Sequence, residues 1–150
     1  MAVYAGIGSR ETPPDVLDLM RRLASRLEQD GWHLHSGGAA GADRAFQSGC
    51  SDHTIFRASD AEWDCIWLSS HFHPAWDRCG EYARRLHGRN AYIVLGRDLI
   101  TPVSFIACWT PNAAISGGTG QALRIAQHYR IPVRNLADPI HRAAAEEYAS

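Results

Sequence analysis

The sequence predicts an α/β protein with a Rossmann-like three-layer α/β/α fold, built on a mainly parallel sheet of about five strands. Short apolar runs typical of strands alternate with helical patterns along the chain. Three of the strand-like runs lead into glycine-rich turns, each followed by a helical pattern. Such alternation is typical of parallel strands joined by right-handed crossovers. Because 150 residues is the usual size of one domain, residues 1–150 are predicted to form a single domain.

The first predicted elements are a short buried strand over residues 3–7 and an amphipathic helix. Thr12 is predicted as the helix N-cap, with Pro13 at the first helical position and Asp15 completing a capping box. Apolar residues then recur at helical spacing, and Gly31 ends the helix. These apolar residues are Val16, Leu17, Met20, Leu23, Ala24 and Leu27.

The next elements are a strand over residues 32–35, a helix that follows the turn at 36–43, and a strand over residues 54–56. Residues 57–90 carry a weaker pattern. They are predicted to hold a helix over about residues 81–86, with a further helix beginning near Asn90.

The remaining elements begin with an apolar run over residues 103–109, which is typical of a buried strand. A loop at 110–115, a helix over 118–129 and a short strand over 131–133 follow. Residues 139–149, rich in alanine and glutamate, are predicted to form the last helix.

The composition indicates the environment of the protein and which classes of partner it favours. The net charge is −1 and every one of the 15 cationic side chains is arginine, so the overall charge does not call for nucleic acid or an anionic membrane. The N-terminus lacks the features of a signal peptide, and no apolar run is long enough to cross a membrane. The four cysteines form no C-x-x-C pair, which favours reduced thiols in a cytoplasmic protein.

Three glycine-rich turns carry the functional prediction: GIGSR at residues 6–10, SGGAAGAD at 36–43 and SGGTG at 116–120. In a parallel sheet these turns lie at the same carboxyl edge. Backbone N–H groups and helix N-termini would then converge on one pocket, which is an arrangement that binds phosphate.

The candidate ligand-binding residues follow from these turns. Arg10 and Arg89 are predicted to neutralise phosphate charge, and Asn90 to contact a sugar or a base. Asp43 has two interpretations: a cap for backbone N–H groups, or a group that accepts from a ribose hydroxyl or acts as a base. Trp76 is either a core residue or a platform on which a base stacks. The residues predicted to hold phosphate are Gly8, Ser9, Ser36, Gly37, Gly38, Gly117, Gly118, Thr119 and Gly120.

No metal or cofactor is predicted. Cys65, His71, His73 and Cys79 have C-x5-H-x-H-x5-C spacing, which fits no standard zinc finger. The first turn also lacks the third glycine of a dinucleotide-binding fingerprint.

The three turns, together with Arg89-Asn90, resemble the DprA/Smf–LOG (SLOG) superfamily over nearly the whole chain, and most of all its short stand-alone phage and prophage DprA-like members. The resemblance implies a Rossmann-like domain, a phosphate site at the carboxyl edge, and a homodimer. The LOG-like branch hydrolyses the N-glycosidic bond of nucleoside monophosphates with a glutamate in the motif GGxGTxxE. Residues 117–124 read GGTGQALR, so Gln121 replaces the threonine and Arg124 replaces the glutamate.

Two functions remain open from the sequence. The main prediction is binding of a nucleotide-like phosphorylated ligand, in a sensor or in an N-glycoside hydrolase. A hydrolase would use Asp43, Glu11 or Asp98 in place of the missing glutamate. The alternative is a DprA-type recombination mediator that binds single-stranded DNA, because GSR, SGxAxGxD and RN match residues 8–10, 36–43 and 89–90.

Overall fold

A computed structural model describes residues 2–150. Its five strands form one sheet in the order β3-β2-β1-β4-β5, and every neighbouring pair is parallel. The fold class predicted from the sequence is confirmed. The strands are β1 (Ala2–Gly6), β2 (Trp32–Ser36), β3 (His53–Ile55), β4 (Ile106–Cys108) and β5 (Val133–Asn135). The helices are α1 (Pro14–Gln29), α2 (Ala42–Ser48), α3 (Trp63–Ser70), α4 (Glu81–Leu95), α5 (Gly117–His128) and α6 (Pro139–Ala149).

The sheet separates two hydrophobic clusters. Tyr4 and Ala5 are consecutive on β1 and therefore face opposite sides of the sheet. Tyr4 packs in the cluster formed with α1, α2 and α6, whereas Ala5 packs in the cluster formed with α3, α4 and α5. These two helical layers and the sheet between them make the three-layer arrangement.

The start of α1 differs from the sequence prediction. The N-cap is Pro13, and it provides no side-chain cap. The Thr12 hydroxyl instead donates to the Ser9 carbonyl at 2.7 Å. The predicted Thr12 cap and its capping box with Asp15 are therefore wrong, because the first glycine turn uses the hydroxyl of Thr12.

The segment between β3 and β4 also differs from the prediction. Residues 81–95 form one continuous helix, α4, rather than two, and α3 was not predicted. Gly88 lies in the middle of α4, where an added Cβ would be 3.0 Å from Ile66 Cγ1 and 3.2 Å from Cys65 Sγ. The glycine lets α3 pack closely on α4, and this packing outweighs its low helix propensity.

Smaller corrections concern strand bounds. The strand predicted over 103–109 is limited to Ile106–Cys108, and the last strand is Val133–Asn135 rather than 131–133. Among the helices of the described residues, none combines the length and apolar character needed to cross a membrane.

Candidate functional site

The first two glycine turns pack directly against each other at the carboxyl edge of the sheet. A Cβ on Gly8 would lie 2.7 Å from Ala42 Cβ, and one on Gly41 would lie 2.8 Å from Arg10 Cα. Gly41 has a φ of +87°, which side chains rarely adopt. Glycine at these two positions therefore allows the loop after β1 to contact the start of α2.

Asp43 joins the two turns from the inside. Its Oδ1 accepts from the Gly8 N–H and its Oδ2 from the Ala39 N–H, both at 3.3 Å. The residue is only 5% exposed. Burial raises the pKa of Asp43 to about 6, although Arg89 and the backbone donors act in the opposite direction. This carboxylate thus occupies the N–H of Gly8, a residue that the sequence predicted to hold phosphate, and its contacts match the capping interpretation of Asp43.

Arg89 extends from α4 and holds the second turn against the end of β3. Its Nη1 donates to the carbonyls of Gly37 and Phe56, both at 2.8 Å, and its Nε donates to Asn90 Oδ1 at 3.0 Å. Burial lowers the pKa of Arg89, and nearby Asp43 opposes that shift. The guanidinium is therefore committed largely to fixing the backbone of the turn.

The third turn is open and lies beside the same helix. The Asn90 side chain donates from Nδ2 to the Gly118 carbonyl at 3.2 Å. An added Cβ on Gly117 or Gly118 would meet nothing within 4 Å. Ser116, Gly117 and Gly118 are exposed, so the N-terminus of α5 faces solvent. Arg89 and Asn90 thereby connect the second and third turns through adjacent positions of α4.

Three exposed arginines border the second turn: Arg10, Arg44 and Arg57, which we call the arginine rim. Arg44 Nε lies 3.4 Å from the Gly38 carbonyl, and a Cβ on Gly38 would lie 3.3 Å from Arg57 Nη1. Within residues 2–150, no rim guanidinium has a carboxylate oxygen within 4 Å. Each rim guanidinium therefore carries a positive charge that no ion pair within the described residues neutralises.

The predicted catalytic residue Glu11 is exposed next to Arg10. Its backbone N–H donates to Ser9 Oγ at 3.0 Å, which places the Ser9 hydroxyl inside the first turn. Ser36 is buried, and its hydroxyl donates to the Gly6 carbonyl at 2.6 Å. Ser9 and Ser36 thus both support turn geometry.

Trp76 lies in a short 3-10 turn just before α4. The Arg84 guanidinium sits over its ring at 5.2 Å from the centroid. The ring centroids of His73 and His87 are 6.2 Å and 6.4 Å away. Trp76 is thus half-buried in a cationic and aromatic cluster beside the N-terminal half of α4, and base stacking there stays a prediction.

Gln121 and Arg124 hold α5 in place. Gln121 Nε2 donates to the Ser69 carbonyl at 2.9 Å, and Arg124 Nε donates to the Phe72 carbonyl at 2.8 Å. Arg124 Nη2 also donates to Gln121 Oε1 at 2.8 Å. At position 124, where the resemblance to LOG-like proteins would imply a catalytic glutamate, this chain has an arginine that ties α5 to the end of α3.

Sequence reasoning missed Arg44 and Arg57 as site residues. Arg57 directly follows the predicted strand at 54–56, and Arg44 lies in the first turn of the helix after the second glycine turn. Their positions at a strand end and a helix start would have placed both at the carboxyl edge.

The fold and the turns define a Rossmann-like α/β protein with a cationic, glycine-rich carboxyl edge. A solved structure of similar fold is DNA processing protein A (DprA) from Helicobacter pylori, described for a unique mode of single-stranded DNA binding. The TM-score is 0.60 at 17% identity, over 89% of this chain and 64% of that one. The chain thus has a DprA-like fold and spans less than two thirds of that protein's length. No protein-family model matches the chain, and no curated protein matches it either.

Proposed function

We propose that this protein binds single-stranded DNA along the glycine-rich edge, with the arginine rim contacting phosphates. The observation that carries the proposal is the set of three exposed arginines, unpaired with carboxylates among the described residues, around one glycine turn. Guanidinium groups bind phosphate through two parallel hydrogen bonds. A chain of net charge −1 can still bind DNA through such a patch, because salt screens distant charges and a phosphate therefore responds mainly to the charges near it.

The other residues of the edge have distinct roles in this proposal. The exposed backbone of Gly117 and Gly118, at the start of α5, offers N–H groups to a further phosphate. Asp43 and Arg89 do not contact the DNA in this proposal; their hydrogen bonds to the backbone hold the second turn in its conformation. Trp76 supplies an aromatic surface for a base. The DprA-like fold and the single-stranded DNA binding described for the H. pylori protein support this assignment.

The first prediction tests the rim by fluorescence anisotropy with a labelled oligothymidine. The R44A/R57A variant removes two predicted phosphate contacts. We expect weaker binding and a slope of log K against log salt that is shallower by about 1.4, because each contact on a single strand contributes about 0.7. The titrations span about 50–200 mM salt, where this dependence is large.

The matched control is R130A/R134A, which changes the charge equally. Arg130 lies just after the C-terminal end of α5. Arg134 lies on β5, the edge strand at the opposite end of the strand order from β3. Both are exposed and have no carboxylate within 4 Å in the part of the chain that the structure describes. Equal losses in the two double variants would contradict the rim assignment. No binding of the unmodified protein at concentrations up to about 10⁻⁴ M would contradict DNA binding, since even non-specific binders have Kd values of about 10⁻⁴–10⁻⁶ M.

A second candidate function is processing of a small nucleotide at the same edge, and the exposed start of α5 at Gly117 and Gly118 favours it, because an open helix N-terminus can bind a nucleotide phosphate. In this function Asp43, whose pKa burial raises to about 6, is the candidate general acid or base. Incubation with nucleoside monophosphates, followed by chromatography for released base, separates this function from DNA binding. Released base that D43N abolishes would support it, and a nucleotide that displaces oligothymidine without base release would indicate binding alone.

A further inference from the structure

Two histidines and one cysteine converge beside Trp76. His73 and Cys79 lie on the segment between α3 and α4, and His87 lies on α4. One ring nitrogen from each histidine and the Cys79 Sγ all lie within 4.8 Å of one another. Cys79 Sγ is 3.9 Å from both ring nitrogens of His73, and the two imidazole centroids are 4.4 Å apart. Three side chains with metal-binding atoms therefore share one small volume.

His87 brings an independent observation to this cluster. Its Nδ1 is buried and makes no hydrogen bond within residues 2–150. A buried polar atom without a partner costs about 1–3 kcal/mol, and an unseen ion is one of its ordinary explanations.

We propose that His73, Cys79 and His87 bind one Zn²⁺ ion. A thiolate with two imidazoles is a donor set that suits zinc, whereas Mg²⁺ and Ca²⁺ prefer oxygen ligands. Zinc bonds of about 2.0–2.3 Å place tetrahedral donors roughly 3.5 Å apart, so the 3.9 Å separations of Cys79 from His73 need only a small adjustment. Three protein ligands leave a fourth position for water or an incoming ligand.

Zinc binding changes both the hydrogen bonds and the protonation of this cluster. His73 Nδ1 accepts from the Ala75 N–H at 3.0 Å, so zinc can bind this nitrogen only in place of that hydrogen bond. The Cys79 thiol releases one proton as it becomes a thiolate ligand, and nothing is oxidised. The thiolate also offsets repulsion between the ion and Arg124, whose charge helps to lower the pKa of both histidines.

This set differs from the one that the sequence suggested and rejected. Cys65 is buried in the core, where its Sγ donates to the Glu62 carbonyl at 3.2 Å. His71 is exposed and packs on Trp67, with ring centroids 4.6 Å apart. His87 takes their place in the proposed set of ligands. The sequence alone could not group His87 with His73 and Cys79, because the grouping depends on α4 packing beside the segment that precedes it.

The second prediction is tested by titrating the purified, metal-free full chain with Co²⁺, a spectroscopic substitute for Zn²⁺. We expect one Co²⁺ per chain, with a thiolate-to-cobalt charge-transfer band in the near ultraviolet and tetrahedral bands in the visible. Added Zn²⁺ should remove these bands and protect Cys79 from alkylation, as located by peptide mass spectrometry. The alkylation experiment uses the unmodified chain, so its result does not depend on whether a substituted chain folds.

Substitutions assign the ligands. C79S should remove the charge-transfer band, and H73A and H87Q should each weaken binding beyond the about 10–100-fold expected from losing an outer hydrogen-bond partner. The controls are C50S, a half-buried cysteine on the far face of the sheet, and H71A, in the same segment as His73. Three results would each overturn the proposal. They are Co²⁺ binding without a charge-transfer band, Co²⁺ binding weakened as much by H71A as by H73A or H87Q, and the absence of binding at one Co²⁺ per chain.

Discussion

Gly41 and Gly31 adopt almost the same φ, +87° and +88°, in different surroundings. A Cβ on Gly41 would lie 2.8 Å from Arg10 Cα and 2.9 Å from the Ser9 carbonyl oxygen, whereas one on Gly31 would meet nothing within 4 Å. The third prediction is that G41A lowers the free energy of unfolding by about 1–3 kcal/mol more than G31A, because it adds overpacking to a comparable backbone strain. Urea denaturation of both variants measures the difference, and equal losses would contradict the contact between the two turns.

Asp43 illustrates what the sequence could predict at this scale. Its position after the glycines placed it at the second turn, and the sequence left a capping group and a ligand contact as alternatives. The direction of its carboxylate depends on how closely the Gly8 turn packs on α2. That approach is a tertiary contact, which spacing along the chain does not encode.

At the scale of elements, one buried amide helps to hold α5 in place. Gln121 is fully buried, and its amide contacts both the Ser69 carbonyl and Arg124. The fourth prediction is that Q121L lowers the free energy of unfolding by about 1–3 kcal/mol, because both partners lose their hydrogen bond in a buried site. Q127L, an exposed position on the same helix, should change it by no more than about 0.5 kcal/mol. Thermal or urea denaturation compares the two, and similar values would contradict the buried tie.

The elements that the sequence predicted well are those whose pattern is local. The strands at β1 and β2 and the amphipathic α1 follow from apolar spacing and from glycine turns. In contrast, α3 exposes Trp63 and Trp67 and is held by packing against Gly88 of α4. Because that stability comes from a neighbouring helix, the periodicity within residues 57–90 could not reveal it.

At the scale of the whole molecule, the buried carboxyl group of Asp43 and the half-buried imidazole of His87 give folding stability opposite dependences on pH. Burial raises the pKa of Asp43 to about 6, so the folded chain retains this proton at a pH where the unfolded chain has lost it. Stability from this group therefore falls as pH rises from about 4 to 6. Burial lowers the pKa of His87 to about 4, so the unfolded chain gains that proton first as pH falls below about 6.5. Stability from His87 therefore falls in the opposite direction over nearly the same window.

The fifth prediction separates these two contributions by comparing each variant with the unmodified protein at every pH. Between pH 4 and 7, the stability difference should shift in favour of D43N by about 2–3 kcal/mol as pH rises, since one pKa unit corresponds to 1.36 kcal/mol. For H87Q, the stability difference from the unmodified protein should shift in favour of the variant as pH falls. This shift should be smaller than that of D43N, because the imidazole of His87 is only half-buried. Urea denaturation in EDTA, which excludes metal binding at His87, measures both. Shifts of the same sign in the two variants would contradict the opposite pH dependences of Asp43 and His87.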